Sequence, residues 1–356
     1  FETCAEKIAQ YLAERGHKVL VACRRYLYPD MPQLHPNIKS YYPFCLKGKS
    51  IETFSHTFFS LVKTIVWNPD IILIFNSANS PIALAARLYR KKIAINVDGL
   101  EWKRKKWGFA GKTYFRFASF FSMIIADKII ADSRAIADYY RKRFHADPIY
   151  IPYGADICFQ RDASLIEKMG LKPKTYFFTG SRLEPENNQD LMIKEFLSAK
   201  IGYPFIIAGD IKNKTKYVKS LLNKAGGNIR FIGPVYDKQT YLQLQANSLA
   251  YIHGNEVGGT NPALLSAMGC GACVLALDVE FNREVLGDAG LYFTKEKNVL
   301  AGLIRNVANN PEKFAVFGKR AQKRAQKLYQ WNDVCQQYER LFYTLKNERQ
   351  KISYSS

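Results

Sequence analysis

The sequence predicts an α/β protein made of two tandem domains, each a parallel, doubly wound sheet. Two observations predict it. Short Ile/Val-rich segments that read as strands buried on both faces alternate with segments carrying apolar residues at helical spacing. The alternation then starts afresh after a loop-like stretch from Asp156 to Lys174, and 356 residues suffice for two domains of ordinary size.

Taken in order, "CAEKIAQYLAERG" is a helix closed by Gly16, and "KVLVAC" is the strand after it. "FSHTFFSLVKTIVW" reads as helix, "DIILIFN" as strand, "SPIALAARLYRKK" as helix and "IAINVDG" as strand. "YFRFASFFSMIIA" is the next helix, followed by the strand "KIIADS", the helix "AIADYYRKRF" and the strand opening "IYIPYG". The second round has strands "TYFFTG", "FIIAGD", "IRFIG", "LAYIHG" and "CVLAL". Its helices run from Asn188 to Ala199, near Tyr217 to Ala225, from Gln239 to Asn247 and onward from Pro262. An α/β half should begin with a strand, whereas this chain opens in a helix. The first strand and its loop are therefore expected to be missing from these residues.

Composition narrows the class. No run reaches the roughly 18 apolar residues that a membrane span needs, and "FASFFSMIIA" is too short. Seven scattered cysteines, an odd number, argue against a disulfide framework and for a reducing compartment, so a cytoplasmic location is expected. The formal net charge of +21 favours an anionic membrane, nucleic acid or phosphorylated substrate, and alone does not choose among them.

Ligands in such folds lie beyond the carboxyl ends of the strands, which directs attention to the loops there. "GFAGKT" has two residues between its glycines where a P-loop needs four, and no strand precedes it. No G-x-G-x-x-G follows a strand. "CGAC" lacks a second ligand pair, so no metal site is expected. "TGSRLEPENNQDL" is more informative. It sets Arg182 just after a strand, then Glu184, Glu186, Asn187 and Asn188 ahead of a helix, a setting suited to gripping a diphosphate. A surface loop whose carboxylates favour the helix dipole is the alternative. In "HGNEVGGTNPALLSAMGCG", Gly258, Gly259, Thr260 and Asn261 lead into a helix, a place for an anion. His253 borders this turn as a structural or ligand-lining side chain, and Gly233 closes the strand "IRFIG".

These motifs carry a resemblance. "GSRLEPENNQDL" and "VGGTNPALLSAMGCGACVLALDV", with "IPYG" and "ADSRAIADYY", resemble the second domain of glycosyltransferase family 4 enzymes of the GT-B fold. "FETCAEKIAQYLAERGHKV", "NVDGLEWKRKKWG", "YIPYGAD", "EPENN", "HGNEVGGTNP" and "FNREVLGDAGLYF" are similar to the bacterial rhamnosyltransferase subgroup of surface-polysaccharide synthesis.

The resemblance implies two Rossmann-like domains facing a cleft: an acceptor-side domain over residues 1–157 and a nucleotide-sugar domain over 158–330. A helix over 331–356 would return to the first. It implies a retaining transfer with no metal or cofactor, from a sugar nucleotide, dTDP-rhamnose in this subgroup, to a glycan or lipid-linked glycan. Arg182 matches the arginine on the donor diphosphate, and Asn187 stands where the wider family has a basic residue. Glu186, Asn187, Asn188, Gly233 and His253 fall on the donor side, and Gly258 to Asn261 match the loop meeting the sugar diphosphate. Ser266 occupies the position where many relatives keep the glutamate that bonds the ribose. A catalytically weak or decayed relative, binding donor or lipid-linked glycan without efficient turnover, is thus a second expectation.

Asp98 matches the family's reaction-centre position, with Glu101 as the alternative; either carboxylate would take the acceptor proton or steady an oxocarbenium-like centre. Asp98-Gly99 also reads as a plain turn. Trp102, Lys103, Arg104, Lys105, Lys106 and Trp107 interleave charge with aromatics, which in this family points to acceptor phosphate and the anionic inner-membrane surface. No nucleic-acid module accompanies them, so nucleic acid is not an expected partner. The protein is expected to be peripheral on the cytoplasmic face of the membrane.

Overall fold

Parallel β-sheets covered by helices organise the chain. A computed structural model describes residues 1–25, 35–46, 48 and 51–354. It divides into two units: Phe1–Pro152 with Trp331–Ser356, and Tyr153–Gln330.

In the first unit, helix α1 (Glu2–Glu14) buries Cys4, Ile8 and Leu12, one helical face by spacing. Strands β1 (Val19–Ala22) and β2 (Ile38–Tyr41) pair in parallel. Helix α2 (Ile51–Trp67) leads to β3 (Ile71–Phe75), α3 (Ser80–Leu88) to β4 (Lys92–Asn96), and α4 (Phe109–Ile125) to β5 (Lys128–Ala131). Helix α5 (Arg134–Phe144), capped by the Ser133 hydroxyl, returns the chain to β6 (Ile149–Tyr150). The parallel sheet β3-β4-β5-β6 is separate from β1-β2, because no described strand pairs with both β1 and β3.

The second unit opens with α6 (Ser164–Glu167), a short helix inside the stretch expected to be loop, and then its sheet follows. Its strands are β7 (Phe177–Gly180), β8 (Phe205–Ala208), β9 (Ile229–Gly233), β10 (Ala250–His253), β11 (Val274–Leu277) and β12 (Leu291–Phe293). Their spatial order is β12-β11-β10-β7-β8-β9, all parallel. This is the doubly wound pattern, with its reversal between β7 and β10. Helices α7 (Gln189–Ala199), α8 (Lys216–Lys224), α9 (Lys238–Asn247), α10 (Pro262–Gly269), α11 (Glu280–Leu286), α12 (Val299–Asn309) and α13 (Pro311–Leu328) complete the unit.

Phe177, Phe196 and Phe205 are fully buried on one face of this sheet, and the Phe196 and Phe205 rings stack at 4.9 Å. Each contributes about 1.5–3 kcal/mol by leaving water. The Glu195 carboxylate accepts from Asn298 N (3.1 Å) and Ala301 N (3.2 Å), which satisfies the otherwise open start of α12.

The last helix, α14 (Trp331–Tyr354), belongs to the first unit. Val334, Tyr338, Leu341 and Leu345 are buried at intervals of four, three and four residues. Glu339 accepts from Arg15 Nε at 2.7 Å and Asn96 Nδ2 donates to the Tyr338 hydroxyl at 3.0 Å, so α14 is tied both to the end of α1 and to β4.

Candidate active site

In the second unit, β7 and β10 are neighbours at the reversal of strand order, and ligands of such folds lie in the crevice beyond the carboxyl ends of the strands there. The β7 loop carries Arg182, Glu186, Asn187 and Asn188; the β10 loop carries Gly258, Gly259, Thr260 and Asn261, with His253 at its root. Residues about 70 positions apart in sequence therefore meet at one place.

Backbone contact holds the two loops together. Glu256 N donates to Glu186 O at 3.1 Å. The Asn188 amide donates to Gly254 O (2.8 Å) and to Glu256 Oε2 (3.0 Å). Gly254 is required here: a Cβ would sit 2.5 Å from Asn187 O. Asn188 itself has φ 54°, a left-handed conformation that asparagine tolerates better than most residues.

This accounts for the amides read from the sequence as donor ligands. Asn187 Nδ2 donates to Arg182 O at 2.7 Å, and Gln189 Nε2 donates to the same carbonyl at 2.8 Å and to Ser181 Oγ at 2.9 Å. These side chains hold the loop that presents Arg182. Its guanidinium is 65 % exposed, with Glu184 Oε1 at 3.9 Å, the edge of ion-pair range. The head is thus open to an anion.

His253 is the opposite case, only 1 % exposed. Neighbouring Asn282 directs its Nδ2 to Asn255 O (3.0 Å) and Leu277 O (2.9 Å), and among the described residues no hydrogen bond of normal geometry reaches either imidazole nitrogen. Burial pulls the His253 pKa down to about 3, so the ring is neutral at physiological pH.

Helix α10 begins directly after the β10 loop, with its positive end at that loop. Asn261 Oδ1 accepts from Ala263 N at 2.9 Å, and Pro262 occupies the first turn, where its missing N–H costs nothing. Gly258 has φ +148°, a conformation that keeps this position to glycine. A small pocket between this loop and α11 is lined by Glu256, Gly258, Gly259, Asn261, Phe281 and Asn282.

Two expected donor residues behave differently. The Ser266 hydroxyl, on α10, donates to Gln245 Oε1 of α9 at 2.6 Å, so its single proton is engaged inside the protein. Gly233 ends β9, the edge strand two places from β7, where its carbonyl accepts from Gly209 N at 3.0 Å.

In the first unit, Asp98 follows β4 with φ +60°, and Asn76 follows the neighbouring β3 with φ +74°. Both are sparsely populated conformations for residues with a Cβ, a kind of strain that gathers at functional sites. Asn76 Nδ2 donates to Asp98 Oδ2 at 3.2 Å, and Asp98 N donates to Asn96 Oδ1 at 3.1 Å. Asp98's pKa lies above the ordinary carboxylate value, chiefly through burial and then through the like charge of Glu101.

Glu101 is engaged elsewhere. Its Oε1 meets Arg104 Nε at 2.5 Å and its Oε2 accepts from Trp107 Nε1 at 3.3 Å. The expectation of a surface patch over Trp102 to Trp107 is corrected accordingly. Trp102 and Arg104 are buried, the indole packing with Ala78, Leu100 and Phe115 and beside Tyr139, because the ion pair to buried Glu101 draws this turn inward. Lys103, Lys105 and Lys106 remain exposed, with Lys106 Nζ lying 5.2 Å from the Trp107 ring centre.

Comparisons with known proteins follow the two units. Residues 1–157 match the family described as Glycosyltransferase Family 4, and residues 163–324 match Glycosyl transferases group 1. The chain is a GT-B glycosyltransferase. The transferase is 24 % identical over 219 residues to a phosphatidyl-myo-inositol mannosyltransferase of Mycolicibacterium smegmatis, an alignment covering 59 % of this chain and 55 % of that protein. Sucrose-phosphate synthase from Thermosynechococcus elongatus shares the fold at a TM-score of 0.81 and 16 % identity, covering 95 % of this chain and 92 % of its own. Anabaena HepE in complex with UDP does so at 0.76 and 19 %, with 96 % of each chain covered. The transferase has no described helix long and apolar enough to cross a membrane.

The transferase also uses residues that the motifs did not single out. Asn76, Gln189, Gly254 and Glu256 hold candidate residues in place. For Gln189, Gly254 and Glu256 the available signal was their place inside the two motifs; for Asn76 it was "LIFN" at a strand end.

Proposed function

We propose that this transferase moves rhamnose, with retention and without a metal, from dTDP-rhamnose to a glycan or lipid-linked glycan acceptor in surface-polysaccharide synthesis. The observation that carries the reading is the arrangement at the β7/β10 reversal: the loop that exposes Arg182 is hydrogen-bonded to the loop that leads into the start of α10. Departure of a nucleoside diphosphate concentrates negative charge, and a fixed guanidinium with helix N–H groups stabilises it.

In the transfer, the acceptor oxygen bonds to the anomeric carbon as the bond from that carbon to the diphosphate breaks. Asp98 takes the acceptor proton or steadies the positive charge developing on the sugar. The raised Asp98 pKa supports proton acceptance, since a more basic carboxylate is the better base. The pairing of Glu101 with Arg104 favours Asp98 over it.

An anionic membrane surface as partner is supported by another face than the Trp102 segment. Helices α2, α3 and α4 lie side by side and expose Phe58, Val66, Leu88, Phe109, Phe117 and Ile124 by half or more, with Lys63, Arg87 and Arg116 among them. Such a mixture suits a lipid headgroup boundary at the cytoplasmic face.

Incubating the purified protein with dTDP-rhamnose and a membrane extract should release dTDP. Failure to release nucleotide from any sugar nucleotide refutes the activity. The Ser266–Gln245 bond favours a second reading, a relative that binds donor with weak turnover. Ser266→Glu tests it: a gain of tenfold or more in donor affinity supports that reading, and unchanged affinity removes it.

A further inference from the structure

Two of the seven cysteines meet away from the crevice. Cys158, half-buried ahead of α6, packs against Cys270, the 2 % exposed residue that ends α10. The backbone brings them together: Cys158 N donates to Gly269 O at 3.1 Å, one peptide before Cys270. Gly269 makes the approach possible, since a Cβ there would lie 2.0 Å from Asp156 O. A backbone bond at this position brings the two Cα atoms close, and a disulfide asks for a spacing of about 4.4–6.8 Å.

We propose that Cys158 and Cys270 form a thiol pair that closes to a disulfide when hydrogen peroxide reaches Cys158. Cys158 is the half that meets solvent, beside the exposed Phe159 and Gln160, whereas Cys270 is enclosed. Cys158 Sγ lies 3.6 Å from the donating Gln243 Nε2. Its acidity suits the role, for hydrogen bonding from Cys270 draws the Cys158 pKa down to about 6, aided by Gln243 and the charge of Arg161. Cys270 shifts the other way, its thiol held protonated chiefly by the same contact and then by burial.

The step balances. The Cys158 thiolate attacks the peroxide, an S–O bond forms as the O–O bond breaks, and the leaving hydroxide takes a proton to become water. Cys270, losing its proton, attacks the sulfenic sulfur; the S–S bond forms, the S–O bond breaks and a second water leaves. Two electrons pass from the thiols to the peroxide. The pair borders the donor side of the unit, since Cys270 Sγ and the Ser266 hydroxyl share Gln245 Oε1 as acceptor, at 4.0 and 2.6 Å. The disulfide would tie the end of α10 to the segment before α6.

The test uses hydrogen peroxide on the native protein, followed by alkylation and peptide mapping by mass spectrometry, and requires no glycosyl transfer. The expected result is a loss of two hydrogens with the Cys158 and Cys270 peptides joined, reversed by dithiothreitol. Cys158→Ser, at a partly exposed position, should abolish the link, while Cys270→Ser should let Cys158 be trapped as a sulfenate by dimedone. A sulfinate on Cys158 with Cys270 still free, a link between other cysteines such as Cys4 and Cys335, or no reaction would overturn the proposal.

Discussion

Replacing Arg182 by alanine separates chemistry from folding, because the side chain carries almost no structural duty. It is 65 % exposed and reaches Glu184 only at 3.9 Å, so its loss should change folding stability by no more than about 0.5 kcal/mol. The residues that hold its loop act on its backbone carbonyl, which alanine keeps. The electrostatic role is another matter. Removing one preorganised donor from a developing anion costs about 2.7–4 kcal/mol, or about 10²–10³ in kcat. Arg182→Lys keeps a point charge and loses the forked donor geometry, so it should fall between the two. The assay is dTDP release under saturating donor, beside urea unfolding of the same preparation. A kcat within threefold of the parent, in a protein shown to be folded, would refute the assignment of Arg182 to the leaving group.

Asp98 gives a prediction in pH. Its raised pKa means that the folded state binds a proton that the unfolded state has released between the ordinary carboxylate value and the folded one. Stability from this group therefore falls as pH rises through that window, and Asp98→Asn should flatten the slope, measured by urea unfolding against pH. Catalysis runs the other way, since the base must be ionised, so transfer should decline on the acid side; Asn76→Ala, deleting a hydrogen bond to the carboxylate, should move that acid limb up by at most about one pH unit. Glu101→Gln removes the carboxylate charge that faces the buried Arg104 guanidinium and should destabilise by about 3–5 kcal/mol, with activity per folded molecule held within about threefold; a large kcat loss without destabilisation would return Glu101 to the chemistry. Gly254→Ala pushes a Cβ against Asn187 O and should cost about 1–3 kcal/mol and raise the donor KM, whereas Gly226→Ala, with open space around it, should do neither.

Much of the fold was legible in the residues. The buried strands of the second unit, such as Phe205–Ala208 and Val274–Leu277, are continuous apolar runs, and helix caps such as Ser133, Asp237 and Asn261 stand where the sequence changes period. Two strands and four helices were not legible, among them α6, four residues long. β2 holds a lysine and a serine within its four residues and β12 has three residues, too little for periodicity to register. α11, α12 and α13 lie beyond the last strand that was read; α12 does carry a helical stripe in Leu300, Ile304 and Val307.

The candidate site was legible as motifs and opaque as roles. A glycine pair before a helix and an arginine after a strand follow from local chemistry, so Arg182 and Gly258 to Asn261 are visible one segment at a time. Which polar atoms remain open to a ligand depends on partners far along the chain. Ser266 faces Gln245, Glu101 turns to Arg104 and Trp107, and Trp102 enters a core with Phe115. A hydroxyl has one proton and a carboxylate a limited set of acceptor positions, and packing decides who receives them. The sequence by itself determined the two parallel-sheet domains and the loops where a ligand would lie, because strand and helix periods are local. Only the tertiary structure decided that Asn187 and Asn188 hold loops while Arg182 stays open, because hydrogen bonds are allotted among residues that folding alone brings within reach.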